Sequence, residues 1–137
     1  MNSEIMSKYV PDESVIVNGF LRKLAESELG GSEIVLPNIL IARFETQAKE
    51  GKDSGLVGLT ELLRLRKLAD EGWIRLSFAG GYLTPESNSV GAGIRQIAAE
   101  TDSTLLTSDE IMADVARVEG LKAVSYTHLT LPTKRIV

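Results

Sequence analysis

Short apolar runs alternate with longer stretches of helical spacing along this chain, a pattern that predicts βαβ units joined into a parallel sheet. A first strand is expected over about residues 8–12. From Ser14-Val15-Ile16-Val17 through Leu21, Leu24 and Ala25 the apolar positions follow helical spacing, and Gly30-Gly31 supplies the stop. Glu33-Ile34-Val35-Leu36 reads as a second strand. Pro37 then stands at the favoured first helical position, and Ile39, Leu40, Phe44 and Ala48 give that helix a buried face. After Gly51, Leu56, Leu59, Leu62, Leu63, Leu65 and Leu68 mark an amphipathic helix that ends near Gly72.

Trp73-Ile74-Arg75-Leu76-Ser77-Phe78 alternates apolar with polar residues, so it reads as a strand with one face less completely covered. Gly80 to Asn88 is expected to be loop, with one helical turn at Pro85. Ile94, Ile97 and Ala98 mark the next helix, followed by a strand at 104–107, a helix at 109–119 and a last strand near Leu121-Lys122-Ala123-Val124. Right-handed crossovers turn this order into a three-layer α/β/α sandwich with a mostly parallel, Rossmann-like sheet. No internal repeat or linker divides the chain.

Composition adds exclusions. The 137 residues suffice for one domain with a real core, and 43% apolar with 25% charged residues is ordinary for a soluble globular protein. No apolar stretch approaches the ~18 residues of a membrane span. Met1-Asn2-Ser3-Glu4-Ile5-Met6 has neither a basic start nor an apolar core, so no signal peptide is expected. The absence of cysteine rules out disulfides and thiolate zinc sites and fits a cytoplasmic setting. A net charge of −4 does not favour nucleic-acid binding by bulk electrostatics.

The end of the chain reads differently. Val124-Ser125-Tyr126-Thr127-His128-Leu129-Thr130-Leu131-Pro132-Thr133 resembles one reading frame of a transposase-type sequencing adapter. On that reading residues 1–124 are one domain truncated at its C-terminus, and residues 125–137 are a non-native tail. His128, the single histidine, then has no role. Setting aside Lys134 and Arg135 from the 15 basic residues leaves 13 against 19 acidic, a net charge of −6.

Two aspartates carry the candidate chemistry. Asp12 ends the first predicted strand just before a helix, and Asp109 does the same after Thr104-Leu105-Leu106-Thr107. Each has a structural reading: Asp12 as a helix N-cap, and Asp109 in a capping box with an acid suited to the helix dipole. As a pair at one edge of a parallel sheet, where ligands collect beyond the carboxyl ends of the strands, they could instead share Mg²⁺ or Mn²⁺.

At these residues the chain resembles the PIN-domain nucleases. Tyr9-Val10-Pro11-Asp12-Glu13-Ser14-Val15-Ile16-Val17-Asn18-Gly19 is similar to their opening motif. Leu36-Pro37-Asn38-Ile39-Leu40-Ile41-Ala42-Arg43-Phe44-Glu45-Thr46-Gln47-Ala48 resembles the second motif, and Thr104-Leu105-Leu106-Thr107-Ser108-Asp109 the late one. The likeness runs from about Tyr9 to Val124. It is strongest to the PIN domain that begins archaeal proteins in which an ATPase and a KH-type RNA-binding module follow. The resemblance implies a PIN-like fold, RNA as partner, homo-oligomers, and ATPase and KH domains downstream. Its chemistry is Mg²⁺- or Mn²⁺-dependent phosphodiester hydrolysis, in which acids hold the cation that activates a water and stabilises the phosphate.

Carried over position by position, Asp12 and Asp109 match the first and last acids, the expected catalytic and metal residues. Ser14, Thr107 and Ser108 match the hydroxyl residues beside them, expected to support cofactor binding. The departures are sharper. Asn18, Arg43 and Gly91 stand where the family places acids, and Glu13 replaces the usual threonine. Glu45 is about 200° around its helix from Arg43. Glu86 and Glu100 flank the Gly91 region without matching it. Asp114, a turn and a half beyond Asp109, is the best candidate for a further metal ligand, against a default reading as solvated helix surface. Arg43 is expected to pair with Asp12 and Asp109 and take a cation's place.

The leading expectation is a degenerate PIN domain acting as an RNA- or protein-binding module of a longer protein. The alternatives are an active ribonuclease using Asp12 and Asp109, and a self-association module. Three other features carry less. Gly91-Ala92-Gly93 lacks the rest of a dinucleotide loop. Arg64, Arg66 and Lys67 sit among acids and read as a solvated face. Trp73 reads as a packing residue at a strand start.

Overall fold

The computed structural model describes residues 6–81 and 89–126. Five strands form one parallel sheet in the order β3-β2-β1-β4-β5: β1 Lys8–Pro11, β2 Glu33–Pro37, β3 Arg75–Ala79, β4 Thr104–Thr107 and β5 Ala123–Ser125. Six helices are described: α1 Glu13–Val17, α2 Phe20–Ala25, α3 Asn38–Lys49, α4 Asp53–Asp70, α5 Val90–Glu100 and α6 Glu110–Val118. From β1 the strand order runs one way through β2 and β3, then returns to β4 and β5 on the other side. Right-handed connections therefore put α1 to α4 and α5 to α6 on opposite faces. The expected α/β/α sandwich is this fold. Among the described residues no helix is long and apolar enough to cross a membrane.

The central strands are apolar on both faces, as a doubly covered parallel sheet demands. Val10, Ile34, Leu36, Leu105 and Leu106 are buried, with Ile16, Leu24, Phe44, Leu65, Ile94 and Met112 covering them. The sheet edges are wetter. Phe78 on edge strand β3 is 48% exposed and Trp73 just before it 47%, so the tryptophan is less of a packing residue than its place suggested. At the other edge, β5 starts later than expected and reaches Ser125, and the Tyr126 N–H donates to the Thr107 carbonyl (2.8 Å). The Tyr126 ring lies 4.9 Å from that of Phe20. Residues 124–126 of the adapter-like stretch thus complete the sheet, whose backbone pairing asks little of side-chain identity at an edge. The turn expected at Pro85, Glu86, His128 and the remainder of the tail lie outside the described residues.

Three local outcomes differ from the periodicity. The first helical run is two helices: Gly19 adopts a left-handed φ of 80°, and the Asn18 side chain accepts from the Phe20 N–H (2.9 Å). The Asn-Gly pair is a turn signal that the apolar spacing hid. Helix α2 stops at Ala25, before Gly30-Gly31, and Pro37 ends β2 rather than opening α3.

In α4, Leu56 and Leu63 are exposed while Gly55, Gly58, Glu61, Leu65 and Leu68 are buried. The reason is close approach of α3. A Cβ at Gly55 would strike the backbone of Gln47 and Ala48, and one at Gly58 would meet the Phe44 ring at 2.5 Å. Buried Glu61 is held by Arg22 (3.0 Å) and Arg64 (3.2 Å). Arg66 pairs with Asp70 (3.5 Å).

Gly55→Ala is therefore expected to lower stability by about 1–3 kcal/mol through overpacking, although alanine favours helix by about 1 kcal/mol. Urea unfolding compared with Thr60→Ala, an exposed position of the same helix, checks this; a stabilised Gly55→Ala protein would contradict the close helix contact.

Candidate active site: a cleft with two carboxylates

The switch in strand order falls between β1 and β4, and a cleft of about 710 Å³ opens near their carboxyl ends. The register pairs Pro11 with Leu106, so Asp12 comes opposite Thr107, and the Asp12 N–H donates to the Leu106 carbonyl (3.0 Å). Asp12, Glu13, Ser14, Asn18, Arg43, Gly91 and Asp109 line the cleft, with Val17, Val90, Ile94 and Met112 as its apolar wall. Such a crevice is where open parallel sheets bind ligands.

Asp12 is buried and both of its carboxylate oxygens accept hydrogen bonds. The Thr107 hydroxyl donates to Oδ2 (2.5 Å); the Ser14 hydroxyl (2.7 Å) and the Val15 N–H (3.2 Å) donate to Oδ1. Thr107 Oγ1 in turn accepts from the Asp109 N–H (2.9 Å), and Ser14 Oγ from the Ser108 N–H (2.8 Å). Two hydroxyls thus tie the β1–α1 turn to the β4–α6 turn. The Ser108 hydroxyl accepts from Asn18 Nδ2 (2.9 Å), so the broken first helix also reaches the cleft. Asp109 caps α6 through Oδ1, which accepts from the N–H groups of Ile111 (2.9 Å) and Met112 (3.4 Å). The capping and cleft roles coexist at both aspartates. Asp109 Oδ2 accepts no hydrogen bond among the described residues.

The structure thus brings Asp12, Ser14, Thr107, Ser108 and Asp109 together. Asp114 does not join them. Five residues of helix turn it to another side from Asp109, and its carboxylate pairs with Arg117 (3.3 Å). Glu45 pairs with Lys49 (3.1 Å), and Glu100 accepts from Gln96 (2.9 Å). Neither lines the cleft.

Arg43 lines the cleft, but its pairing differs from the expected one. Its Nε donates to Glu13 Oε1 (2.8 Å), not to either aspartate. Glu13 opens α1 beside the incoming α3 helix, and Gln47 Nε2 approaches its other oxygen (3.5 Å). The two departures from the family pattern, Glu13 and Arg43, neutralise each other. That pairing was signalled by an acid gained at one position and a base gained at another, but no sequence spacing showed that they touch.

A divalent cation needs anionic oxygens in number. Among the described residues no three of His, Cys, Asp or Glu are grouped closely enough to hold a metal ion. The carboxylates of Asp12 and Asp109 line the cleft, and one or two carboxylates hold Mg²⁺ where waters and substrate phosphates complete its shell. At Gly91 a Cβ would meet only ordinary contacts, with Met112 Sδ at 3.5 Å and Arg95 Nη1 at 3.6 Å, so the position has room for a side chain.

A parallel α/β/α domain with paired acids at its switch point is the class that these observations define. The chain belongs to the PIN-domain family. It is 33% identical over 126 residues to an uncharacterised KH- and PIN-domain-containing protein of the archaeon Methanocaldococcus jannaschii, across 87% of this chain. The chain spans 20% of that relative's length. A solved domain of a functionally unknown protein from the same organism superposes with a TM-score of 0.81 at 32% identity, covering 87% of this chain and 90% of that one. No family model matches the chain.

Burial pushes the Asp12 carboxyl above its ordinary 3.8, and the hydrogen bonds from Thr107, Ser14 and Val15 offset part of that. In the metal-free protein the folded state therefore holds this proton longer than the unfolded chain does. Asp12's contribution is fully present below pH 3.8 and is lost as pH rises through its folded value. Stability measured against pH is expected to fall more over that window in the parent than in Asp12→Asn. An identical pH profile for the two proteins would contradict the shift.

Proposed function

We propose that this domain is a PIN domain with impaired cleavage, which binds RNA as a module of a longer protein and keeps a weakened divalent-cation site at Asp12 and Asp109. The observation that carries this reading is the composition of the cleft. Two carboxylates remain at the junction of β1 and β4, while Asn18, Arg43 and Gly91 line it at positions where the family has acids. The KH domain in the name of the archaeal relative supports RNA as the ligand of the longer protein.

When bound, Mg²⁺ or Mn²⁺ would activate a water and stabilise charge on a scissile phosphate. The protein's part is orientation. Thr107 and Ser14 fix the Asp12 carboxylate by hydrogen bonds from opposite strand ends, and the α6 cap fixes Asp109 so that Oδ2 is left over for a ligand. With fewer anionic oxygens the cation is held less tightly and less rigidly. Even changes behind a metal's direct ligands commonly cost about 10–100-fold in affinity or activity. A second reading, an active ribonuclease, is favoured by one contact: Glu13 neutralises Arg43 and leaves both aspartates without a basic partner among the described residues.

Cleavage of a labelled single-stranded RNA in Mn²⁺ separates the two readings. The parent is expected to bind the RNA and cut it little. Glu13→Thr/Arg43→Glu/Gly91→Asp, which restores the family pattern at three positions, is expected to raise the cleavage rate at least about tenfold, and adding Asp12→Asn to abolish the gain. Parent cleavage that is as fast as the triple variant's and needs Asp12 would establish the active ribonuclease instead.

A further inference from the structure

We infer that Glu13 is a positioning residue that holds the Arg43 guanidinium away from Asp12 and Asp109 and so preserves the cation-binding character of the cleft. This rests on the cation site proposed above and names the residue on which that site depends.

Arg43 shares the cleft with both aspartates. A guanidinium is a permanent cation whose planar fork matches a carboxylate, so an untethered Arg43 has two competing partners within the same cavity. Glu13 takes it instead, through Nε at 2.8 Å. The pair is part of a longer chain of contacts. Ser54 Oγ donates to Gln47 Oε1 (3.0 Å), and Gln47, itself buried, turns its Nε2 toward Glu13 Oε2 (3.5 Å). Residues from α3 and α4 therefore orient Glu13 on α1, and Glu13 is the one of the three that contacts the arginine.

The charges show what this does. Among the lining residues Asp12, Glu13 and Asp109 are acidic and Arg43 is basic. With Arg43 on Glu13, the two aspartates keep their charge for a cation. With Arg43 on either aspartate, one carboxylate is neutralised and the remaining one faces a fixed positive group. Glu13 does not itself complete the metal site, since no group of three such ligands forms among the described residues. Its effect acts through Arg43, and that makes a specific pattern of variants.

The test is Mn²⁺ titration of the full chain, read by paramagnetic broadening of the Asp12 and Asp109 amide resonances, for the parent, Glu13→Gln, Arg43→Gln and the double variant. Glu13→Gln is expected to weaken Mn²⁺ binding at least about tenfold. Arg43→Gln is expected to bind as well as the parent or better, and Glu13→Gln/Arg43→Gln to recover what Glu13→Gln lost. Equal affinity in the parent and Glu13→Gln overturns the inference while leaving the cation site standing. A double variant as weak as Glu13→Gln also overturns it, and makes Glu13 a direct ligand. No broadening at Asp12 and Asp109 in the parent overturns both this inference and the cation site.

Discussion

Because β1 and β4 are neighbours in a parallel sheet, the residues just beyond their carboxyl ends converge, and the buried hydrogen bond from Thr107 to Asp12 joins them there. Strands 95 residues apart in sequence are fixed by this contact at the point where the strand order reverses. A charge-assisted bond in a dry environment is short and strong, and it offsets part of the cost of burying Asp12. Thr107 also accepts from the Asp109 N–H, so one hydroxyl sets the placement of both cleft aspartates. Replacing it would loosen the two acids together.

The same acids serve the fold. Asp12 caps α1 and Asp109 caps α6, each using Oδ1 for helix N–H groups. Capping alone gives each aspartate a structural reason to be there. It does not explain burial of Asp12 under two hydroxyls at a sheet switch point, nor the Asp109 Oδ2 that accepts no hydrogen bond among the described residues. Those features are what the proposed cation site rests on.

Much of this was legible from the sequence. The strand and helix alternation gave the sandwich, and the acid after each of two strands gave the cleft, because element type and strand-end placement are local properties. What could not be read depended on neighbours distant in sequence. The leucines at 56 and 63 look core-facing by composition, but glycines 55 and 58 let α3 approach closely and turn those leucines outward. Asp114 looked like a spare ligand by proximity in sequence, yet its helix directs it to Arg117. The partner of Arg43 was misjudged for a related reason: electrostatics names the kind of partner, while the fold chooses between a carboxylate on α1 and those at the strand ends.

Glu13 holds the Arg43 guanidinium, and the proposed cation site at Asp12 and Asp109 depends on that pairing. Crystals of the full chain soaked in Mn²⁺ and measured at the manganese absorption edge test this most directly. The account predicts one anomalous peak at coordination distance from Asp12 and Asp109, with Arg43 still on Glu13. An empty cleft at saturating Mn²⁺, or a peak on Glu13 with Arg43 displaced, would contradict it.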